Sequence, residues 1–173
     1  MCISENNAIG RYLAAVFPDK AGKFYPRDDP AKCARIDMVA EFISYSLYPL
    51  VAKAMYPTVG FPLYHGDVAN LACTKDKTKE SQEEAAAGLL EMLEAKIVGP
   101  GLFLKDTTFL LSDKPTLADF RLAPILLFAR VAVKLPQRLE AYLDEMEKVP
   151  GYKEAVEYGG HGPKPFTDDK KRT

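Results

Sequence analysis

The sequence predicts an all-α protein, a bundle of five to six helices with one further helix at its front. Three observations predict it. Apolar residues recur at spacings of three and four through successive windows between Asn7 and Tyr158. Pro and Gly fall in clusters that separate those windows. No stretch alternates apolar and polar residues for long enough to mark a strand.

The first helix is expected from about Asn7 to Phe17, with Ala8, Ile9, Tyr12, Leu13 and Val16 as its apolar stripe. Glu5, Asn6 and Asn7 give it polar starts, and Pro18-Asp19 stops it. Lys20 to Asp29 reads as a loop and a domain boundary. The second helix runs from about Pro30 to Met55 and turns Ile36, Val39, Ile43, Leu47, Leu50 and Ala54 to a core. Phe42, Tyr45 and Tyr48 make a separate aromatic row, and Pro49 should kink or divide the helix. Thr58 to Thr74 reads as an irregular crossover. A third helix begins near Lys75 with a solvated charge run to Glu84, carries Leu89, Leu90, Leu93 and Ile97, and ends at Gly99-Pro100-Gly101. The fourth, about Leu117 to Leu135, is the most apolar segment and is expected to be buried nearly all round. Leu117, Phe120, Leu127, Val131 and Leu135 form its main face, and Pro124 predicts a bend. Pro136 opens a fifth helix through about Lys148, with Leu139, Tyr142, Leu143 and Met146 as its seam. After Pro150-Gly151 a short last helix reaches Tyr158.

Composition narrows the function classes. Hydrophobic residues make up 47% and charged residues 27%, enough for a packed core in a chain of 173 residues. Lys+Arg 23 against Asp+Glu 24 gives a formal charge of -1, without the polybasic footprint of a nucleic-acid or membrane-surface binder. Cys2, Cys33 and Cys73 show no metal spacing and suit a reducing compartment. His65 and His161 stand alone in expected loops, so no metal site is expected. The N-terminus has no secretory pattern and no run reaches the roughly 18 apolar residues of a membrane span, so a cytoplasmic location is expected.

The strongest local signal is Lys114-Pro115-Thr116-Leu117-Ala118-Asp119-Phe120. Thr116 can accept from the Asp119 amide while Asp119 reaches back to the Thr116 amide, a structural capping box at a helix start. A carboxylate there also suits the positive end of the helix dipole. An ordinary capping box accounts for this pattern without any chemistry.

Thr108 to Phe120, read as TFLLSDKPTLADF, resembles the FLxGDxxTLAD stretch of the glutathione S-transferase family. Tyr25-Pro26-Arg27-Asp28 with Ala34, Asp37 and Phe42 is similar to that family's YPxD…A…D…F start of the first long helix of its C-terminal domain. Glu5-Asn6-Asn7-Ala8-Ile9-Gly10-Arg11-Tyr12-Leu13 is similar to its (E/Q)SxAIxxYL. The resemblance covers about Ile3 to Tyr158. It implies that residues 1–18 are a remnant of a thioredoxin-like glutathione-binding domain, 19–29 a linker, 30–158 the C-terminal helical domain and 159–173 a flexible tail.

The resemblance also implies chemistry. Glu5 would bind the amino group of the γ-glutamyl moiety of glutathione. Asn6, in place of the family's Ser, would bind the α-carboxylate at a helix start, where unsatisfied amides favour anions. Simple helix capping by these two residues is the other reading. Tyr45, Tyr48 and Met55 lie on the helix that in the family lines the pocket for a hydrophobic electrophile; core or dimer contacts are the other reading of that row. The family's thiol-activating residue and cis-proline lie upstream of these motifs, so no residue is assigned a catalytic role, and this chain alone is expected to be inactive. The parent protein would conjugate glutathione to electrophiles, or reduce peroxides with it, as a homodimer. The alternative is a non-catalytic interaction module, because Met55-Tyr56-Pro57-Thr58-Val59-Gly60 also resembles the elongation factor 1 gamma subunit.

Overall fold

Residues 2–56, 75–99, 103–104 and 106–158 are described by a computed structural model, and among them there are helices and turns but no strand. The expected crossover, His65, Cys73, His161 and the tail from residue 159 lie outside the described residues.

Helix α1 spans Asn6–Val16, and Pro18 then opens a short helix α2, Pro18–Ala21, rather than a loop. Proline fits there because its fixed φ and missing donor suit a first helical position. A 3-10 turn, Gly22–Phe24, follows, so the expected linker is partly helical. Asp29 caps α3, Pro30–Phe42, by accepting from the Lys32 amide at 2.9 Å.

Ahead of Pro49 the long second helix is divided: α3 passes through a π-helical turn, Ile43–Leu47, into α4, Tyr48–Met55. The Tyr48 N–H reaches back to Ile43 O, a wider ring than a regular turn closes. A regular turn would press the Pro49 ring against the Tyr45 carbonyl, and widening the turn just before the proline avoids that clash. The extra residue rotates the core face, so the buried positions become Ile43, Leu47, Val51, Ala54 and Met55, and Leu50 is only partly covered.

Helix α5, Lys75–Met92, packs against α4, and the Gln82 side chain donates to Ala54 O at 2.7 Å, satisfying a carbonyl at the end of α4. A second π-helical turn, Leu93–Val98, ends it at Gly99, where a Cβ would lie 2.8 Å from Glu94 O. Helix α6, Leu117–Ala129, runs through Pro124. It ends earlier than the sequence suggests. Val131 and Ala132 donate to Phe128 O and Ala129 O, three residues back, and those tighter bonds turn the chain away. Helices α7, Gln137–Glu147, and α8, Tyr152–Tyr158, complete the bundle. The α7 seam Leu139, Tyr142, Leu143 and Met146 is fully or almost fully buried, as its spacing predicts.

No residue of α6 is exposed, but the face the sequence favours is not the one most deeply buried. Ala118, Leu122, Leu126 and Ala129 have no accessible surface, whereas Leu117, Phe120 and Leu127 are only partly covered. Gly10 brings α1 close to α6 there, since a Cβ on it would meet Leu117 Cδ1 at 3.2 Å. The opposite face of α1 has no cover among the described residues: Ile9, Tyr12, Leu13, Val16 and Phe17 are 37–50% exposed.

Candidate functional site

Where α1 begins, its backbone is strained. Glu5, the N-cap residue, sits at φ 68 and ψ 122, the one non-glycine positive φ among the described residues. Such a conformation costs about 1–3 kcal/mol and persists only where neighbours enforce it. The Glu5 side chain makes no capping bond to the helix, so simple capping does not explain it. Asn6 is exposed, and Asn7 Nδ2 donates to Glu41 Oε1 of α3 at 3.4 Å. One turn on, Arg11 pairs with Asp37 at 2.8 Å, and the Tyr25 hydroxyl donates to the other Asp37 oxygen at 2.9 Å. Burial, with that bond second, pushes the Tyr25 hydroxyl up to about 12. These contacts tie α1 and the linker to α3.

Two adjoining cavities open at this junction. The larger, about 500 Å³, lies between α1, α3–α4 and α6, with Tyr48, Leu117, Phe120, Pro124 and Phe128 forming much of its apolar wall. The second, about 410 Å³, is more polar and includes Glu5, Arg11, Glu41, Ser44 and Tyr45. Asn6, Asn7 and Arg121 line both. The structure therefore brings Glu5 and Asn6 beside Tyr45, and Asn6 beside Tyr48.

Tyr45 is 78% exposed at the rim. Tyr48 is half-buried, its hydroxyl 2.7 Å from that of Tyr56 and its ring centroid 6.0 Å from Arg121 Cζ. Met55 departs from the pocket reading. It is 2% exposed and lines neither cavity, because the π-turn swings it inward beside Val51 and Ala54.

Arg121 is the residue the sequence reading passed over. It is the lone cation of α6, and that was the available signal. Its Nε donates to Ser44 Oγ at 3.3 Å, and Ser44 Oγ donates onward to Ala40 O at 2.9 Å. Asn7, Glu41 and Ser44 were also missed, since only the packing of α1 on α3 brings them together.

The capping box forms, and Asp119 does more than cap. Its Oδ2 accepts from the Thr116 N–H at 2.7 Å and the Thr116 hydroxyl at 2.9 Å. Its Oδ1 accepts from the Leu110 N–H at 2.9 Å and the Tyr142 hydroxyl at 3.2 Å. One buried carboxylate thus joins the loop before α6, the start of α6 and the middle of α7. Burial pushes its carboxyl up against the opposing pull of these bonds, and burial also raises the Tyr142 hydroxyl well above its ordinary range. This cluster faces neither cavity and is structural.

Cys2 is exposed, and Cys33 donates to Pro26 O at 3.0 Å. No cluster of metal-binding side chains occurs among the described residues, and none of their helices is long and apolar enough to cross a membrane.

Residues 76–155 match the family model for the glutathione S-transferase C-terminal domain. The chain is 28% identical over 159 residues to a glutathione S-transferase of Hyoscyamus muticus, covering 89% of this chain and 68% of that protein. Its fold is shared, at a TM-score of 0.64 and 16% identity, with a glutathione transferase homolog from Sulfitobacter solved with bound glutathione, over 92% of this chain and 77% of that one. A delta-class glutathione transferase from Nilaparvata lugens gives a TM-score of 0.57 at 24% identity, over 91% of this chain and 65% of that one.

Proposed function

We propose that the chain is a member of the glutathione S-transferase family and that its paired cavities serve glutathione chemistry on hydrophobic electrophiles. The γ-glutamyl end of glutathione sits at the start of α1. Its carboxylate accepts from Asn6 and the free amides of the first turn, where the helix dipole favours an anion. The Glu5 carboxylate receives its ammonium group. The apolar cavity walled by Tyr48, Phe120 and Phe128 takes the electrophile. Residues of this chain bind and orient; lowering the thiol pKa, which conjugation requires, is assigned to none of them. The observation that carries the reading is the strained, non-capping Glu5, which lines a cavity together with Asn6, Asn7 and Arg11 of α1 and Glu41, Ser44, Tyr45 and Arg121 of the helical domain.

Amide shifts in a proton–nitrogen NMR titration with S-hexylglutathione test it. Shifts confined to Glu5–Arg11, Ser44–Tyr48 and Arg121 are expected, weakened by Glu5→Ala and Asn6→Ala. Their absence at millimolar ligand refutes the reading. The chain alone is expected not to conjugate glutathione to chlorodinitrobenzene above background.

A second reading, an interaction module, has one observation in its favour. The open face of α1 carries Ile9, Tyr12, Leu13, Val16 and Phe17, an apolar row of the kind that docks another protein surface. Self-association into a homodimer belongs to both readings.

A further inference from the structure

We propose that Arg121 makes the apolar cavity selective for aromatic ligands that carry an anionic group, a carboxylate or sulfonate on a flat apolar body. The inference rests on the reading of this cavity as the electrophile site and names the class of molecule it prefers. Two charged side chains reach the lining of the larger cavity, Asp37 and Arg121. They differ in what surrounds them. Asp37 spends one oxygen on Arg11 and the other on the Tyr25 hydroxyl. Arg121 has no carboxylate within ion-pair distance among the described residues; its one hydrogen bond there, from Nε, goes to the neutral Ser44 hydroxyl. Glu41 lines the second cavity with it but accepts from Asn7 instead.

A half-covered guanidinium beside aromatic walls, with its Nη donors unengaged among the described residues, is an anchor for a planar oxyanion. Arg forms paired N–H···O bonds to a carboxylate, and such charge-assisted bonds strengthen where water is scarce. Tyr48 lies under one side of the guanidinium and Ser44 holds Nε, which limits the directions the Nη groups can take. Phe120, Phe128 and Leu117 then meet the apolar body of the ligand. An electrophile bound by its acid group at Arg121 would lie within the same cavity as Asn6, alongside the proposed glutathione position.

The test uses the whole chain and two ligands of one shape, 4-propylbenzoate and the neutral 4-propylbenzamide, followed by NMR titration. The benzoate is expected to bind about tenfold more tightly, a difference of about 1.4 kcal/mol. Its shifts are expected at Arg121, Ser44, Tyr48 and Phe128. Arg121→Gln should bring the two affinities together, and Arg121→Lys should restore part of the preference. Equal affinities in the unaltered protein overturn the proposal, as does failure of both ligands to bind. Benzoate shifts centred on Lys23, Lys114 and Lys148, which border a separate cavity, also overturn it. Shifts of S-hexylglutathione at Glu5–Arg11, titrated in parallel, report on the glutathione position, so the two ideas can fail separately.

Discussion

Replacing Asp119 by alanine should destabilise the fold far more than the usual loss of a helix cap. Its carboxylate receives four donors, from Leu110, Thr116 twice and Tyr142, and it has no accessible surface. Alanine leaves the Leu110 and Thr116 amides buried without an acceptor, at about 1–3 kcal/mol each. The Thr116 hydroxyl can turn to another acceptor, and the Tyr142 hydroxyl keeps the Asp119 carbonyl at 3.3 Å, so those two contribute less. Removing a buried charge recovers part of its desolvation energy. The balance is roughly 3–4 kcal/mol. Thr116→Ala removes one donor of the four and leaves the carboxylate well bonded, a loss of about 1 kcal/mol. Asp119→Asn preserves volume but turns an NH₂ toward one of the amide donors, and should fall near the alanine variant. Urea unfolding with an unchanged slope measures all three. A midpoint for Asp119→Ala no lower than that of Thr116→Ala would show that the carboxylate does not join the three segments, and the reasoning fails.

Glu5→Gly should raise the urea midpoint, by an amount worth roughly 1 kcal/mol, as relief of backbone strain exceeds the added unfolded-state entropy. The same variant should bind S-hexylglutathione more weakly; a lowered midpoint contradicts the strain. Gly151 sits at φ 84, so Gly151→Ala should cost about 1 kcal/mol, read from thermal or urea unfolding. Tyr25 titrates in the folded state near 12 rather than at its ordinary 10, so the folded protein holds more protons in that window. The stability this supplies is complete below pH 10 and is lost as pH rises through 12. Tyr25→Phe should therefore show a shallower alkaline loss of urea midpoint than the unaltered chain, and parallel curves would refute it. Light scattering should report a dimer at tens of micromolar. Cross-links at Met38 and Tyr45, 54% and 78% exposed, would place its seam on α3–α4, whereas cross-links along Ile9–Phe17 would place it on the open face of α1.

Helix order was legible because each helix carries its own periodicity and its own punctuation. The α7 seam is the plainest case, four apolar residues at spacings of three and four and all four buried. What periodicity could not supply was a change of period. The turn at Ile43–Leu47 inserts a residue ahead of Pro49, and every later position of α4 rotates with it. Met55 passes for that reason from expected pocket to core. In α6 the limit was different. A helix apolar on all sides has no contrast between faces, so nothing local distinguishes Leu122 in the core from Phe120 on a cavity wall.

The candidate site was legible only where a residue's role is local. Glu5 and Asn6 stand at a helix start that the sequence marks, and Glu5 holds a positive φ there. Arg121 is the contrary case. Twelve of the thirteen α6 residues are not cations, which makes it conspicuous, yet a lone arginine in an apolar helix is equally a solvated edge or half of an ion pair. The difference lies in Asp37 of α3, Ser44 of the π-helical turn and Tyr48 of α4, and in Arg11, which pairs with the one acid among the larger cavity's lining residues. An uncommitted charge is defined by where the opposite charges have gone. That is settled by packing between helices, and it is the reason the binding preference proposed for the cavity enters only with the fold.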